Sequence, residues 1–321
     1  MKRAGRSRAR RRSQRGFTLV ELMVSLVLFT VAIGGALAVA VSMSNGFREQ
    51  RQVIATEGAV RGPMEFLGDV FRGASPAVSS GVIQDVATCT LGAITVVNST
   101  NSPDQIDVVY ASGSVVTSSR TAYTTGTSSV TVNDASQLAV DDTILITDLT
   151  QGHLVKITAV NIATGVLALA SQSCTLALPA SGGYPVGSLV IRAQRARFSV
   201  GTVDGIPTLM MDPDAAGTAA AAEPLAEGIE DMQIALGVDV NASGGIESTE
   251  WAYSSGTGAL VGAIRAVRIT LVGRNVEELK GGTAGFYRPA AEDRPASSGP
   301  DKFRRRTLTT TIEIRNLGGS P

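Results

Sequence analysis

The chain has 321 residues, with 28 basic and 28 acidic side chains and a formal net charge of zero. Eight of the basic residues lie within residues 1–16, which hold no acid; past them, 20 basic residues stand against 28 acids, a net charge of −8. That balance speaks against a nucleic-acid surface, which needs a basic patch, and only 14 aromatic residues are available as stacking platforms.

From Phe17 to Val41 run 25 residues with one charge, Glu21. About 20 apolar residues span a bilayer as a helix. The basic flank stays cytoplasmic, so the chain past Val41 is expected on the far side of a single-pass anchor. A carboxylate at the centre of a membrane helix costs roughly 2.5–3.5 kcal/mol on insertion scales, and less near its end. Glu21 therefore calls for a partner. A cut between Gly16 and Phe17 would place a new α-amino group four residues before Glu21, in the same chain or a neighbour.

The helix is expected to continue to about Arg72, with residues 42–74 as its amphipathic half. Val53, Val60, Met64, Leu67 and Phe71 share one face, and Arg48, Glu49, Arg51 and Arg61 suit the other. Gly58, Gly62 and Pro63 predict a kink or weak turn. Gly34-Gly35 is a second weak point, or a site of close helix packing through small residues.

Ala74-Ser75-Pro76 ends the helix, and alternating runs at Ile106–Tyr110, Met232–Val238, Val267–Leu271 and Leu308–Ile314 read as strands. A β-rich globular domain is expected over 75–114 and 188–321. Between them, short strands at Ser129–Val132, Thr143–Ile146, Val155–Ile157 and Val166–Leu169 alternate with turn residues. They predict a β-rich insertion over 115–187, with one continuous sheet as the alternative. The fold class is thus α+β: a long N-terminal helix packed on an antiparallel sheet, with an inserted all-β module. Residues 215–222 and 281–300 read as loops.

Cys89 and Cys174 are the two cysteines. Outside the cytoplasm they are expected to pair, closing a loop of more than 80 residues and stabilising by about 4–5 kcal/mol. The other reading is two buried thiols, because spacing alone proves no contact.

Gly16-Phe17-Thr18-Leu19-Val20-Glu21 behind a basic leader (residues 1–16) resembles the prepilin motif of type IV pilins and of type II secretion pseudopilins. The resemblance implies cleavage after Gly16 by a prepilin peptidase and N-methylation of Phe17. It implies that Glu21 aligns the subunit with the N-terminus of its neighbour. The implied partners are other pilins and minor pilins, met through the N-terminal helix, and an inner-membrane assembly platform. The implied location is the inner membrane (residues 17–41 spanning it), then a pilus or pseudopilus fibre. A plain anchor would leave Glu21 and the Gly-Phe junction unexplained. A signal peptide cut after Ala38 or Ala40 needs a shorter apolar region than this one. Gly228–Ile234, Ile264–Ile269 and Ile314–Leu317 resemble PilW-type minor pilins. A J-type pseudopilin is the competing reading, and a fibre-displayed adhesive role for 115–187 is a third.

One loop matches a calcium-binding spacing. Asp239, Asn241, Ser243, Gly244 and Glu250 fit D-x-[DN]-x-[DNS]-G-x5-E, with Ser243 departing from the stricter form. Side chains of Asp239, Asn241, Ser243 and Glu250 and the carbonyl of Gly245 would supply oxygens. A polar turn without an ion is the alternative. His153 is the only histidine and reads as a solvated turn residue, and no Gly-x-Ser-x-Gly, phosphate-loop or Cys-x-x-Cys motif is present. No enzyme activity and no cofactor other than that calcium ion are expected. Lys302, Arg304, Arg305 and Arg306 read as a solvated strand edge.

Overall fold

The structure is a computed structural model that describes residue 16 and residues 18–124, 127–171, 183–215, 221–254, 262–278 and 285–317. The side chains of Asn45, Arg48, Glu49, Gln52, Val53 and Val115 lie outside the description. The chain divides into two compact units, Met1–Val53 and Ile54–Pro321.

A single helix, α1, runs Leu19–Arg72. Its first turn is capped by Thr18, whose Oγ1 accepts the Glu21 amide at 3.2 Å while its carbonyl accepts that of Leu22. Leu19–Ser44 is long and apolar enough to cross a membrane, and its side chains are buried by nothing in the first unit. At 1.5 Å per residue it spans roughly 39 Å, more than a hydrocarbon core of about 30 Å. Gly34, Gly35, Gly58, Gly62 and Pro63 all lie inside α1, which runs unbroken through each of them.

The second unit holds the rest of α1 and fourteen strands among the described residues. They are β1 (Val82–Asp85), β2 (Ile94–Val97), β3 (Gln105–Ser118), β4 (Ser129–Thr131), β5 (Thr143–Thr147), β6 (Gln151–Asn161) and β7 (Val166–Leu169). After these come β8 (Leu189–Val203), β9 (Ile206–Asp212), β10 (Glu223–Glu227), β11 (Ile229–Val238), β12 (Trp251–Ala252), β13 (Ile264–Arg274) and β14 (Arg305–Glu313).

They form two sheets. A four-stranded antiparallel sheet has the order β12-β11-β13-β14. The ten-stranded sheet is organised around β8, which pairs with β3 along one edge and with β5 and then β9 along the other. Pairing is antiparallel among the named strands except between β1 and β6.

The predicted helical face packs as expected for Val60, Met64, Leu67 and Phe71, and Val53 lies outside the described side chains. These four join Ile106, Phe198, Met232, Ile234, Val267 and Ile269 in one core. Full burial of a side chain such as Leu67 or Phe71 stabilises by about 1.5–3 kcal/mol. Close approach depends on Gly273 in β13, where a Cβ would stand 2.3 Å from Val60 Cγ2. The helix ends where Gly73 and Ala74 turn back on Asp69, Val70 and Phe71, and Ser75 takes a left-handed φ of 56°.

The 115–187 stretch does not stand apart from the sheet. Position 115 falls inside β3, β5 pairs with β8, and β6 pairs with β1. It does own a core, in which Val130, Val132, Ile144, Ile146, Val155, Ile157 and Leu167 pack with Val86 and Val190 from outside the stretch. One face of its strands fills that core, while Leu145 of β5 and Leu154 of β6 pack on the other face with Val78, Ile83 and Ala193, and the strand edges hydrogen-bond to strands on either side in sequence.

Candidate functional site

The motif residues meet at the head of α1. Gly16 is exposed and precedes the helix, Phe17 lies outside the described residues, and Glu21 is exposed in the first helical turn. Sequence reasoning missed Thr18. Its T-x-x-E spacing to Glu21 is a capping-box signal, and the Thr18 Oγ1 contact to the Glu21 amide is one half of that box. A carboxylate here also lies near the positive end of the helix dipole, which favours it by about 0.3–1 kcal/mol at exposed sites. Glu21 therefore has a local reason to sit in the first turn, besides any contact with an amine.

The calcium-type loop joins β11 to β12, two antiparallel neighbours paired Leu236 to Ala252 and Gly237 to Trp251. Asp239 accepts the amides of Ser243 (2.9 Å) and Gly244 (3.1 Å), and Asn241 Oδ1 accepts that of Ser243 at 2.9 Å. Gly244 adopts φ 84°, a conformation that favours glycine. The Ser243 hydroxyl donates to the Gly245 carbonyl at 3.3 Å, and Glu250 Oε2 accepts the Glu247 amide at 2.9 Å. Asp239 and Glu250 are both more than nine-tenths buried. Among the described residues no group of three His, Cys, Asp or Glu side chains is arranged around a common point.

Cys89 is disulfide-bonded, and Cys174 lies outside the described residues.

His153 is not a solvated turn residue. It lies in β6, 1% exposed, because residues 151–153 extend the strand and the turn falls at Asp148–Thr150. Its ring meets Tyr184 edge-on at 5.4 Å and Tyr123 at 5.7 Å, and its Nε2 lies 3.2 Å from Gln84 Oε1. Burial pulls its pKa down to about 4 and pushes the Tyr184 phenol up. A neutral imidazole follows, with Nε2–H donating to Gln84. Its Nδ1 has no hydrogen-bond partner among the described residues.

The basic run is not all solvated either. Arg305 is 5% exposed at its side chain and forks between Glu230 and Asp301; burial by itself would lower its guanidinium pKa, but hydrogen bonds to Asp301 and Glu230 together outweigh it and hold the value above the ordinary one. Arg306 reaches Glu57 at 2.7 Å across the surface, and Lys302 lies 3.8 Å from Glu278.

Comparison with known proteins bears on two stretches. Residues 197–316, from the later part of β8 through β14, match the family model described as Type IV Pilus-assembly protein W. Residues 11–37 match the model described as Prokaryotic N-terminal methylation motif. No curated protein matches the chain. Among solved structures, a type IV-like pilin from Thermus thermophilus is similar at 10% identity and a TM-score of 0.37, covering 82% of this chain and 97% of that one.

Proposed function

We propose that this chain, matched over 197–316 by the pilus-assembly protein W model and over 11–37 by the N-terminal methylation model, is a type IV minor pilin made as a prepilin and matured at its first helix. The prepilin peptidase cuts between Gly16 and Phe17, Phe17 is N-methylated, and the helix carries the subunit into the fibre. What supports this reading is the motif's position: the Gly-Phe junction lies just before a capped helix whose first 26 residues are apolar and unburied. Such a helix is stable in lipid because its backbone groups are satisfied internally.

In this mechanism cleavage removes a leader of eight positive charges and creates one cation, the Phe17 amine. Glu21 of an incoming subunit pairs with the amine of its neighbour, and apolar surroundings strengthen that attraction by lowering the effective dielectric. The basic leader keeps the first residues cytoplasmic until the cut, which places the globular region on the other side of the inner membrane. The partners are the peptidase, other pilins through the helix, and the membrane assembly platform. The match to a pilus-assembly family over 197–316 favours a pilus over a secretion pseudopilus. The reading also pairs Cys89 with Cys174, so reduction should raise the intact mass by two hydrogens.

Intact-mass analysis of the membrane-extracted protein tests the route. The expected mass is that of residues 17–321 with a methyl in place of one amine hydrogen and two hydrogens fewer for the Cys89–Cys174 bond. A chain starting at Val39 or Val41 would overturn the proposal in favour of a cleaved signal peptide. Glu21→Ala should be processed normally yet enter fibres poorly, and normal incorporation would remove the pairing role.

A further inference from the structure

We propose that the loop between β11 and β12 is a calcium site, independent of the pilin assignment. Two buried carboxylates carry the inference. Val238 donates to the Glu250 carbonyl at 2.9 Å, which closes the loop and brings Asp239 and Glu250 to its base. Asp239 is 8% exposed and Glu250 is 7% exposed, and neither has an ion-pair partner among the described residues. Glu250 Oε2 takes the Glu247 amide, so the carboxylate is turned back onto the loop, while its Oε1 is buried with no hydrogen-bond partner. A buried anion with an unsatisfied oxygen is costly unless a cation meets it.

The available donors decide which cation. They are hard oxygens only: the carboxylates of Asp239 and Glu250, the amide oxygen of Asn241, the Ser243 hydroxyl and the Gly245 carbonyl. No nitrogen or sulfur ligand belongs to the set, which disfavours zinc and copper. A mixed, flexible oxygen set suits calcium, whereas magnesium demands a tighter octahedron and keeps its waters. Two carboxylates also balance a divalent charge. The loop is held to the sheet by Ile246, which packs within 3.1 Å of where a Cβ on Gly237 would stand. With two acids the affinity belongs in the range of extracellular modules, roughly 0.1–1 mM.

Trp251 follows Glu250 directly and is the only tryptophan, so it serves as a built-in antenna. Terbium added to the full-length chain in detergent should emit on tryptophan excitation, and millimolar calcium, but not magnesium, should quench that emission. Glu250→Gln, which keeps an oxygen for the Glu247 amide, and Asp239→Asn should each weaken binding about tenfold or more. Glu223→Gln, at an exposed acid in β10 outside the loop, should change it less than about twofold. Far-UV circular dichroism establishes that each variant is folded. Absence of calcium-displaceable emission from the wild-type chain would leave the loop a polar turn and overturn the site. So would emission unchanged in both folded Glu250→Gln and Asp239→Asn.

Discussion

Asp85 and Arg195 show how position decides the worth of an ion pair. Arg195 is 2% exposed, meets Asp85 at 3.1 Å and donates to the Gly92 carbonyl at 2.8 Å. Burial pulls this guanidinium below its ordinary value, opposed by Asp85 and Asp107. Asp85→Ala strands a buried charge and should destabilise by about 3–5 kcal/mol. Glu57→Ala removes the exposed partner of Arg306 and should cost under about 1 kcal/mol. Urea unfolding of both variants checks the contrast. His153 makes stability depend on pH. Its folded value, about 4, lies below the ordinary 6.5, so its contribution is complete above about pH 6.5 and is lost as pH falls toward 4. The full effect is roughly 3 kcal/mol. Asp104 opposes it: burial raises its carboxyl to about 6, so its contribution grows as pH falls from 6 toward 4. Asp104→Asn should therefore steepen the acid loss measured by thermal unfolding, and His153→Gln should flatten it. None of this residue-scale behaviour was legible beforehand. A lone histidine beside glycine reads as a turn, and only the partners supplied by β1 and by residues 123 and 184 bury it.

At the scale of elements, two close approaches hold the second unit together. Gly273 lets the helix lie on β13, and Gly273→Ala forces a methyl against Val60, for an expected cost of about 1–3 kcal/mol in thermal unfolding. The other is the segment 285–300, where Arg288 and Arg294 both reach Asp231, itself fully buried in β11. Asp231→Ala leaves two poorly paired cations, and limited proteolysis should then cut within 285–300 sooner than in the wild type. Helix and strands were largely readable, because α1, β3, β11, β13 and β14 carry strong 3.6- or 2-residue periods. The segment 285–300 was readable only as an irregular stretch, since its order comes from arginines whose acid lies more than 50 residues away in sequence.

At the scale of the whole molecule, the second unit is built by sharing strands, and this governs how 115–187 should be probed. Deleting those residues would remove the end of β3 together with β5 and β6, and with them pairings to β8 and β1. The deletion should give an insoluble or protease-sensitive protein, whereas an excised module would leave a soluble one. A test of adhesion through this region therefore needs surface substitutions, such as a charge reversal at exposed Asp141, which pairs with half-buried Lys156 at 2.8 Å. The chain by itself determined the basic stretch 1–16, the apolar run after it and the Gly16–Glu21 motif, because each is a pattern of contiguous residues that needs no folded partner. It also determined the spacing of the 239–250 loop, where donors follow one another along the backbone. Tertiary structure alone decided that 115–187 is continuous with the sheet, that His153 and Arg195 are buried, and that Glu250 turns back onto its loop with a bare oxygen. Each of those depends on strands and side chains brought together across long sequence separations, where burial and pairing, not local pattern, set the energy.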